Sequence, residues 1–256
     1  MTELAPGGTV SEDRLLDGRV RLAQPENGYR AAIDPVFLAA AVPARAGQRV
    51  LDVGCGTGAA ALCLAARVAG LAIDGIELQA PLGRLARDNA AANGLGDRFR
   101  VMIGDIADPP PELKRGTYDH VMANPPHLEA AHGHPPADAS KAMANRLSDV
   151  DLEQWVAFCL AQARPKGSVT FIHRADRLDR LIACLSPGTG GMVIFPLWPA
   201  PFNGNAGKPA KRVLVQARKG SHAPARLAPG LVVHETDGAY TPAAQEVLRQ
   251  GRALSL

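Results

Sequence analysis

Three short runs of the chain carry residue types that can do chemistry. The first, Asp52-Val53-Gly54-Cys55-Gly56-Thr57-Gly58, is a glycine turn that opens an alanine-rich stretch. Glycines are needed where backbone turns sharply and lies against a ligand, and a helix starting behind them offers free N–H groups. Cys55 fits inside such a turn because a small side chain suffices there. Glu77 ends the next apolar run, and a carboxylate at that place can accept both hydroxyls of a ribose. These features indicate a nucleoside cofactor without choosing one. Gly54, Gly56 and Ala59 also satisfy the Gly-x-Gly-x-x-Ala spacing of nicotinamide enzymes. Two acids bear on the choice. Asp52, two residues before the first glycine, is awkward beside a pyrophosphate and suits a ligand with an ammonium and a sulfonium group. In Gly104-Asp105-Ile106, Asp105 can accept from an adenine amino group while the Ile106 N–H bonds the ring.

The run that bears on the acceptor is Asn124-Pro125-Pro126-His127. Two successive prolines set the turn and remove two N–H donors, which leaves carbonyls facing the site. The Asn124 side chain adds another. Such a cluster suits a planar –NH₂ group: it binds both amino hydrogens and holds the nitrogen in line with a methyl donor. The lone pair of an adenine or amide nitrogen is delocalised, so acceptors that favour a more pyramidal, positive nitrogen lower the barrier without a strong base. Positioning supplies much of the rest. A neutral His127 ring can stack on the acceptor and makes the site pH-sensitive. His127, Glu129, His132 and His134 match no zinc spacing and lie in an Ala/Pro-rich loop, so no metal is expected.

The elements that must position these runs follow from the apolar pattern. Strands are expected at Val50–Val53, Leu71–Glu77, Phe99–Ile103, Tyr118–Ala123, Gly167–His173, Gly191–Trp198 and Lys211–Ala217. Helices are expected from Asp34-Pro35 to Val42, then at Ala59–Val68, Pro81–Asn93, Val150–Ala163 and Ala175–Leu185, with Asp34 as the first N-cap. This alternation predicts an α/β, Rossmann-like doubly wound fold: a mostly parallel seven-stranded sheet with an antiparallel edge strand. Residues 1–45 are expected to be a flank or lid, and 46–256 a single ligand-binding domain. Of the 256 residues, 46% are hydrophobic, which excludes a disordered chain, and only 4% are aromatic, which calls for a core of small, tightly packed pieces. The longest apolar candidate for a membrane span, Ala59 to Ile73, is broken by Arg67, and the N-terminus lacks a signal-peptide pattern. Four cysteines without a Cys-x-x-Cys pair point to reduced thiols in the cytoplasm.

The closely spaced Gly-x-Gly-x-Gly, with Asp52, Glu77 and Asp105, resembles the class I S-adenosylmethionine-dependent methyltransferases from Gln48 to about Ala217. Asn124-Pro-Pro-His127 resembles their Asn/Asp-Pro-Pro-aromatic motif for amino-group acceptors, with His127 where Tyr or Phe is usual. The stretch from Gln24 through Tyr29 and Arg30 to Asp34-Pro-Val-Phe-Leu-Ala-Ala resembles the tRNA(Val) adenine-N6 methyltransferase family. So does the tail, with Lys211-Arg-Val-Leu-Val-Gln-Ala, Leu231-Val-Val-His and Gly238-Ala-Tyr-Thr241. The resemblance implies N6-methylation of the adenosine beside a tRNA anticodon. It assigns S-adenosylmethionine to Asp52, the turn residues Gly54 to Gly58, Glu77, Leu78, Asp105, Ile106 and Asn124, with Arg30 and Asp34 closing the pocket. The net charge of +3 is a weak argument for RNA; its placement says more. Lys208, Lys211, Arg212 and Lys219, beside Trp198 and Phe202, are the expected RNA contacts. Arg174, Arg177 and Arg180 read as a solvated helix face. Two alternatives stay open: methylation of a glutamine amide in a translation termination factor, and a nicotinamide oxidoreductase.

Overall fold

The computed structural model describes residues 9–27, 30–126, 152–201 and 208–256. The chain starts with a hairpin of β1 (Val10–Leu15) and β2 (Val20–Pro25), then α1 (Asp34–Ala41). Strands and helices alternate after that: β3 (Arg49–Val53), α2 (Ala59–Arg67), β4 (Ala72–Glu77), α3 (Ala80–Ala92), β5 (Phe99–Ile103) and β6 (Tyr118–Ala123). The second half holds α4 (Leu152–Gln162), β7 (Ala163–Arg174), a 3-10 turn at Ala175–Arg177, α5 (Leu178–Leu185), β8 (Thr189–Trp198) and β9 (Arg212–Lys219). Two short strands, β10 (Arg226–Leu227) and β11 (Leu231–Val232), and helix α6 (Pro242–Leu248) finish it.

The sheet runs β5-β4-β3-β6-β7-β9-β8, parallel except for β9. The seven strands expected from the apolar pattern are these. β9 is antiparallel to both β7 and β8, so the antiparallel strand lies one position in from the edge. Among the described residues the sheet has nine strands, because β10 and β11 lie end to end along the outer side of β8. Two-residue strands leave no periodicity to read, but they cover an edge that is otherwise open to pairing.

Alternate residues of each strand enter opposite cores. Val50, Ile73, Met122, Ile172 and Leu214 face one core, shared with α1, α2, part of α3, α6 and the hairpin. Leu51, Val53, Val121, Phe171 and Val215 face the other, filled by α4 and α5. Helices on both faces explain why the central β3 reads Val-Leu-Asp-Val, apolar without alternation. α1 packs on α2, and both helices carry buried alanines, Ala39 to Ala41 and Ala59 to Ala61, so little aromatic mass is needed.

β1 and β2, outside the strands expected from the apolar pattern, form a hairpin, and Leu16, Val20 and Leu22 enter the core. One expectation fails locally. Asp34 does not cap α1. Ile33 occupies the N-cap, no side chain caps it, and Asp34 Oδ2 instead accepts from Arg212 Nε at 2.7 Å. No helix of the described residues is long and apolar enough to cross a membrane.

Candidate active site

Strand register brings the site candidates together. Val53 pairs with Ala123 on one side and Ile76 on the other, so the chain leaves β3 at Gly54 beside Asn124 and Glu77. Gly104 follows the end of β5 and donates its N–H to the Glu77 carbonyl at 2.9 Å. The strand order reverses between β3 and β6, which is where open α/β sheets leave a crevice for ligands. A cavity of about 260 Å³ opens there. Asp52, Gly54, Cys55, Gly56, Glu77 and Leu78 line it, as do Asp105, Ile106, Asn124, Pro125 and Pro126. Gly58 stands behind that wall, at the N-cap of α2. His127, Tyr29, Phe202 and the residues Glu129, His132 and His134 lie outside the described residues.

Burial shapes the electrostatics. Asp52 is 2% exposed, and its Oδ2 has no hydrogen-bond partner among the described residues. Desolvation pushes its carboxyl up to about 8, opposed by the Ala61 backbone N–H and helped by the nearby Glu77 charge. Glu77 is also raised by burial, while backbone N–H groups of Gln79, Gly56 and Leu78 pull the other way. Its Oε2 accepts from Gly56 at 2.8 Å and its Oε1 from Gln79 at 2.9 Å, so the acid braces the glycine turn. Burial and these two acids push the Cys55 thiol well up, which keeps it neutral. Asp105 Oδ1 accepts from the Ala107 N–H at 2.8 Å.

One lining residue lies outside every motif: Trp155 projects from α4 onto the turn, while Ala31, Pro35 and Leu38, from the stretch around Asp34, form the wall on the α1 side. Gly54 has φ +66, and a Cβ built there lies 2.6 Å from Trp155 Cη2; Gly56 has φ +55 and nothing within 4 Å. Gly54→Ala therefore combines left-handed strain with overpacking, whereas Gly56→Ala carries the strain alone. Thermal unfolding is expected to place Gly54→Ala about 5 °C below Gly56→Ala. Equal melting temperatures would mean that Trp155 does not hold the turn.

Other candidates are placed away from the cavity wall. Arg30 donates to Ser11 Oγ at 2.7 Å, the Pro25 carbonyl at 3.0 Å and Asp13 Oδ2 at 2.5 Å, so its charge is spent on the hairpin. Asp34 is paired with Arg212, and neither is among the lining residues. The basic cluster is split by β9. Lys211 and Arg212 start the strand at the cavity end of the sheet, where Arg212 pairs with Arg174 and Leu197. Lys219 ends it, an eight-residue strand away, and donates to the Ala163 carbonyl at 2.8 Å. At about 3.3 Å per residue, that separates Lys219 from the cavity end by about 25 Å.

The arrangement fits S-adenosylmethionine on its own chemistry. A buried carboxyl oxygen without a donor among the described residues suits a cation, a strand-end acid stands by the glycine turn, and the wall between them is largely apolar. Residues 32–144 match the methyltransferase small domain family. The tRNA1(Val) (adenine(37)-N6)-methyltransferase of Aeromonas hydrophila is 30% identical over 214 residues, covering 83% of this chain and 85% of the relative. The enzyme of the same name from Porphyromonas gingivalis is 32% identical over 199 residues, 76% of each chain. Among solved structures, a predicted O-methyltransferase from Agrobacterium tumefaciens superposes with a TM-score of 0.70 at 26% identity, covering 87% of this chain and 98% of that one. The nicotinamide alternative, which rested on the spacing of Gly54, Gly56 and Ala59 alone, is thereby closed. The chain is an S-adenosylmethionine-dependent methyltransferase and belongs to the tRNA1(Val) (adenine(37)-N6)-methyltransferase family.

Proposed function

We propose that the protein methylates the exocyclic N6 of an adenine in tRNA, the adenine(37) that its relatives' names specify. The observation that carries this is the adjacency of Asn124-Pro125-Pro126 and the Asp52–Gly58 turn in one cavity, forced by the pairing of Ala123 with Val53. Bound S-adenosylmethionine supplies a methyl group on a positively charged sulfur. Asp52 Oδ2 takes the ligand's ammonium, Glu77 its ribose hydroxyls, and Asp105 with the Ile106 N–H the adenine edge, with Leu78 against the ring. Cys55 contributes only a small side chain.

The acceptor side belongs to the strand β6 end. Asn124 Oδ1 and the Pro125 carbonyl accept the two N6 hydrogens, which aligns the nitrogen and stabilises the positive charge that builds on it during transfer. His127 continues that motif and is read as the stacking ring. Residues 1–45 act as a flank to the 46–256 domain, with Ala31 and Pro35 walling the cofactor cavity. RNA phosphates meet the exposed Lys208 and Lys211, beside Trp198, while the neighbouring Arg212 is held by Asp34. Lys219 is not part of this surface. A cytoplasmic location fits the four free cysteines, Cys55, Cys63, Cys159 and Cys184.

Incubation with labelled S-adenosylmethionine and either unmodified tRNA or a translation termination factor tests the acceptor. Label is expected in tRNA, as N6-methyladenosine by nucleoside mass spectrometry. Label confined to protein would give the site to a glutamine amide, whose –NH₂ group the same carbonyls could bind.

A further inference from the structure

Asn89 lies in α3 and Asn93, one turn on, is its C-cap, and each grips one residue of β2 at two points. Asn93 Oδ1 accepts from the Arg21 N–H at 2.9 Å, and its Nδ2 donates to the Arg21 carbonyl at 2.7 Å. Asn89 treats Ala23 the same way, at 2.8 and 3.0 Å. The repeat lengths match: residues four apart on a helix rise about 6 Å, and residues two apart on a strand about 6.6 Å. The two carboxamides thus act as a strand along the edge of β2 that β1 leaves open.

Asn89 does something that Asn93 does not. Its Nδ2 also donates to the Thr57 carbonyl at 2.9 Å, in a buried position between Gly56 and Gly58. A second carboxamide carries the connection onward. Gln24, 1% exposed, accepts from the Ala31 N–H at 2.7 Å and donates to the Ala31 carbonyl at 3.3 Å and to Asp13 Oδ2 at 2.7 Å. Thr57 and Ala31 both line the cavity. A relay from Thr57 through Asn89, the β2 backbone and Gln24 to Ala31 therefore joins its two walls.

We propose that Asn89 is a positioning residue for the cofactor: its carboxamide sets the Gly54–Gly58 turn relative to the hairpin, and through Gln24 relative to Ala31. Without it the Thr57 carbonyl loses its buried donor and the turn relaxes away from its binding geometry. Asn124 directly follows β6, outside this relay, so the transfer step itself is untouched. The inference rests on the assignment of S-adenosylmethionine to this cavity.

Asn89→Ala and Asn93→Ala separate the two roles, because both release the hairpin and only the first frees Thr57. Both melting temperatures are expected to fall, by about 5 °C. Only Asn89→Ala is expected to raise the calorimetric Kd and the KM for S-adenosylmethionine, by about tenfold, with kcat at saturation within about twofold of the wild type. If Asn89→Ala does not fold, Asn89→Asp keeps the oxygen that accepts from the Ala23 N–H and removes the hydrogens given to the Ala23 and Thr57 carbonyls, and the same rise is expected. Equal affinities in the Asn89 and Asn93 variants, with the wild type binding normally, would overturn the role. A wild type that binds no S-adenosylmethionine would instead overturn the cofactor assignment beneath it.

Discussion

Asn124→Ala is expected to lower kcat by about a thousandfold while the Kd for S-adenosylmethionine stays within about threefold of the wild type. The asymmetry follows from where the residue sits. Its side-chain oxygen is buried at the end of β6, on the acceptor side of the cavity. The groups assigned to the cofactor, Asp52, Glu77 and Asp105, come from β3, β4 and the residues after β5. An acceptor whose hydrogen bond strengthens as N6 becomes positive acts on the transition state more than on either ground-state complex. Its loss therefore appears in kcat rather than in cofactor binding. Asn124→Asp keeps an oxygen in place and is expected to retain more activity than Asn124→Ala. Single-turnover kinetics and calorimetry on the same samples check both statements. Collapsed cofactor affinity with unchanged kcat would move Asn124 to the cofactor side.

The seven main strands were legible because a sheet covered by helices on both faces makes its strands into short apolar runs, of which Val50–Val53 is the clearest. The glycine turn, Glu77, Asp105 and Asn124 were legible for a related reason: each stands at a strand end, where the sheet topology fixes its place whatever the loops do. The hairpin was overlooked because β1 is charged on both faces, with Glu12, Asp13 and Arg14 in succession, although Asp17-Gly18 between two alternating runs is a hairpin signal. Trp155 carries no local signal, since its contact with Gly54 exists only once α4 packs on the sheet. Charge was the least legible property. Arg30 and Arg212 look available in the sequence but are paired with Asp13 and Asp34, and the few residues between Arg212 and Lys219 become the length of the sheet once they form a strand. Asn89 had a faint signature of its own: asparagine is a poor helix former, and this one stands inside α3 rather than at its end.

Cofactor affinity is expected to rise with pH from about 6 to 8, by up to about tenfold per unit, and to lose that dependence in Asp52→Asn. Burial holds the Asp52 carboxyl at about 8, far above its ordinary 3.8, so in the ligand-free protein it keeps its proton at neutral pH. The ligand's ammonium needs the carboxylate. Binding must then expel one proton, and expulsion becomes easier as pH rises toward the folded-state value. Above about 8 the acid is already ionised and the ligand's α-amino group starts to lose its own proton, so affinity peaks there. Stability without ligand runs the opposite way. A raised folded-state pKa means that the native protein holds a proton which the unfolded chain releases near 3.8. That contribution is complete below 3.8 and is lost as pH rises through about 8. Ligand-free protein should therefore soften toward pH 8 just as its affinity improves, and S-adenosylmethionine should raise its melting temperature most there. Calorimetry across this range, in two buffers of different ionisation enthalpy, reads both the affinity and the proton count. A flat affinity profile with no proton release would show that the ammonium does not meet Asp52.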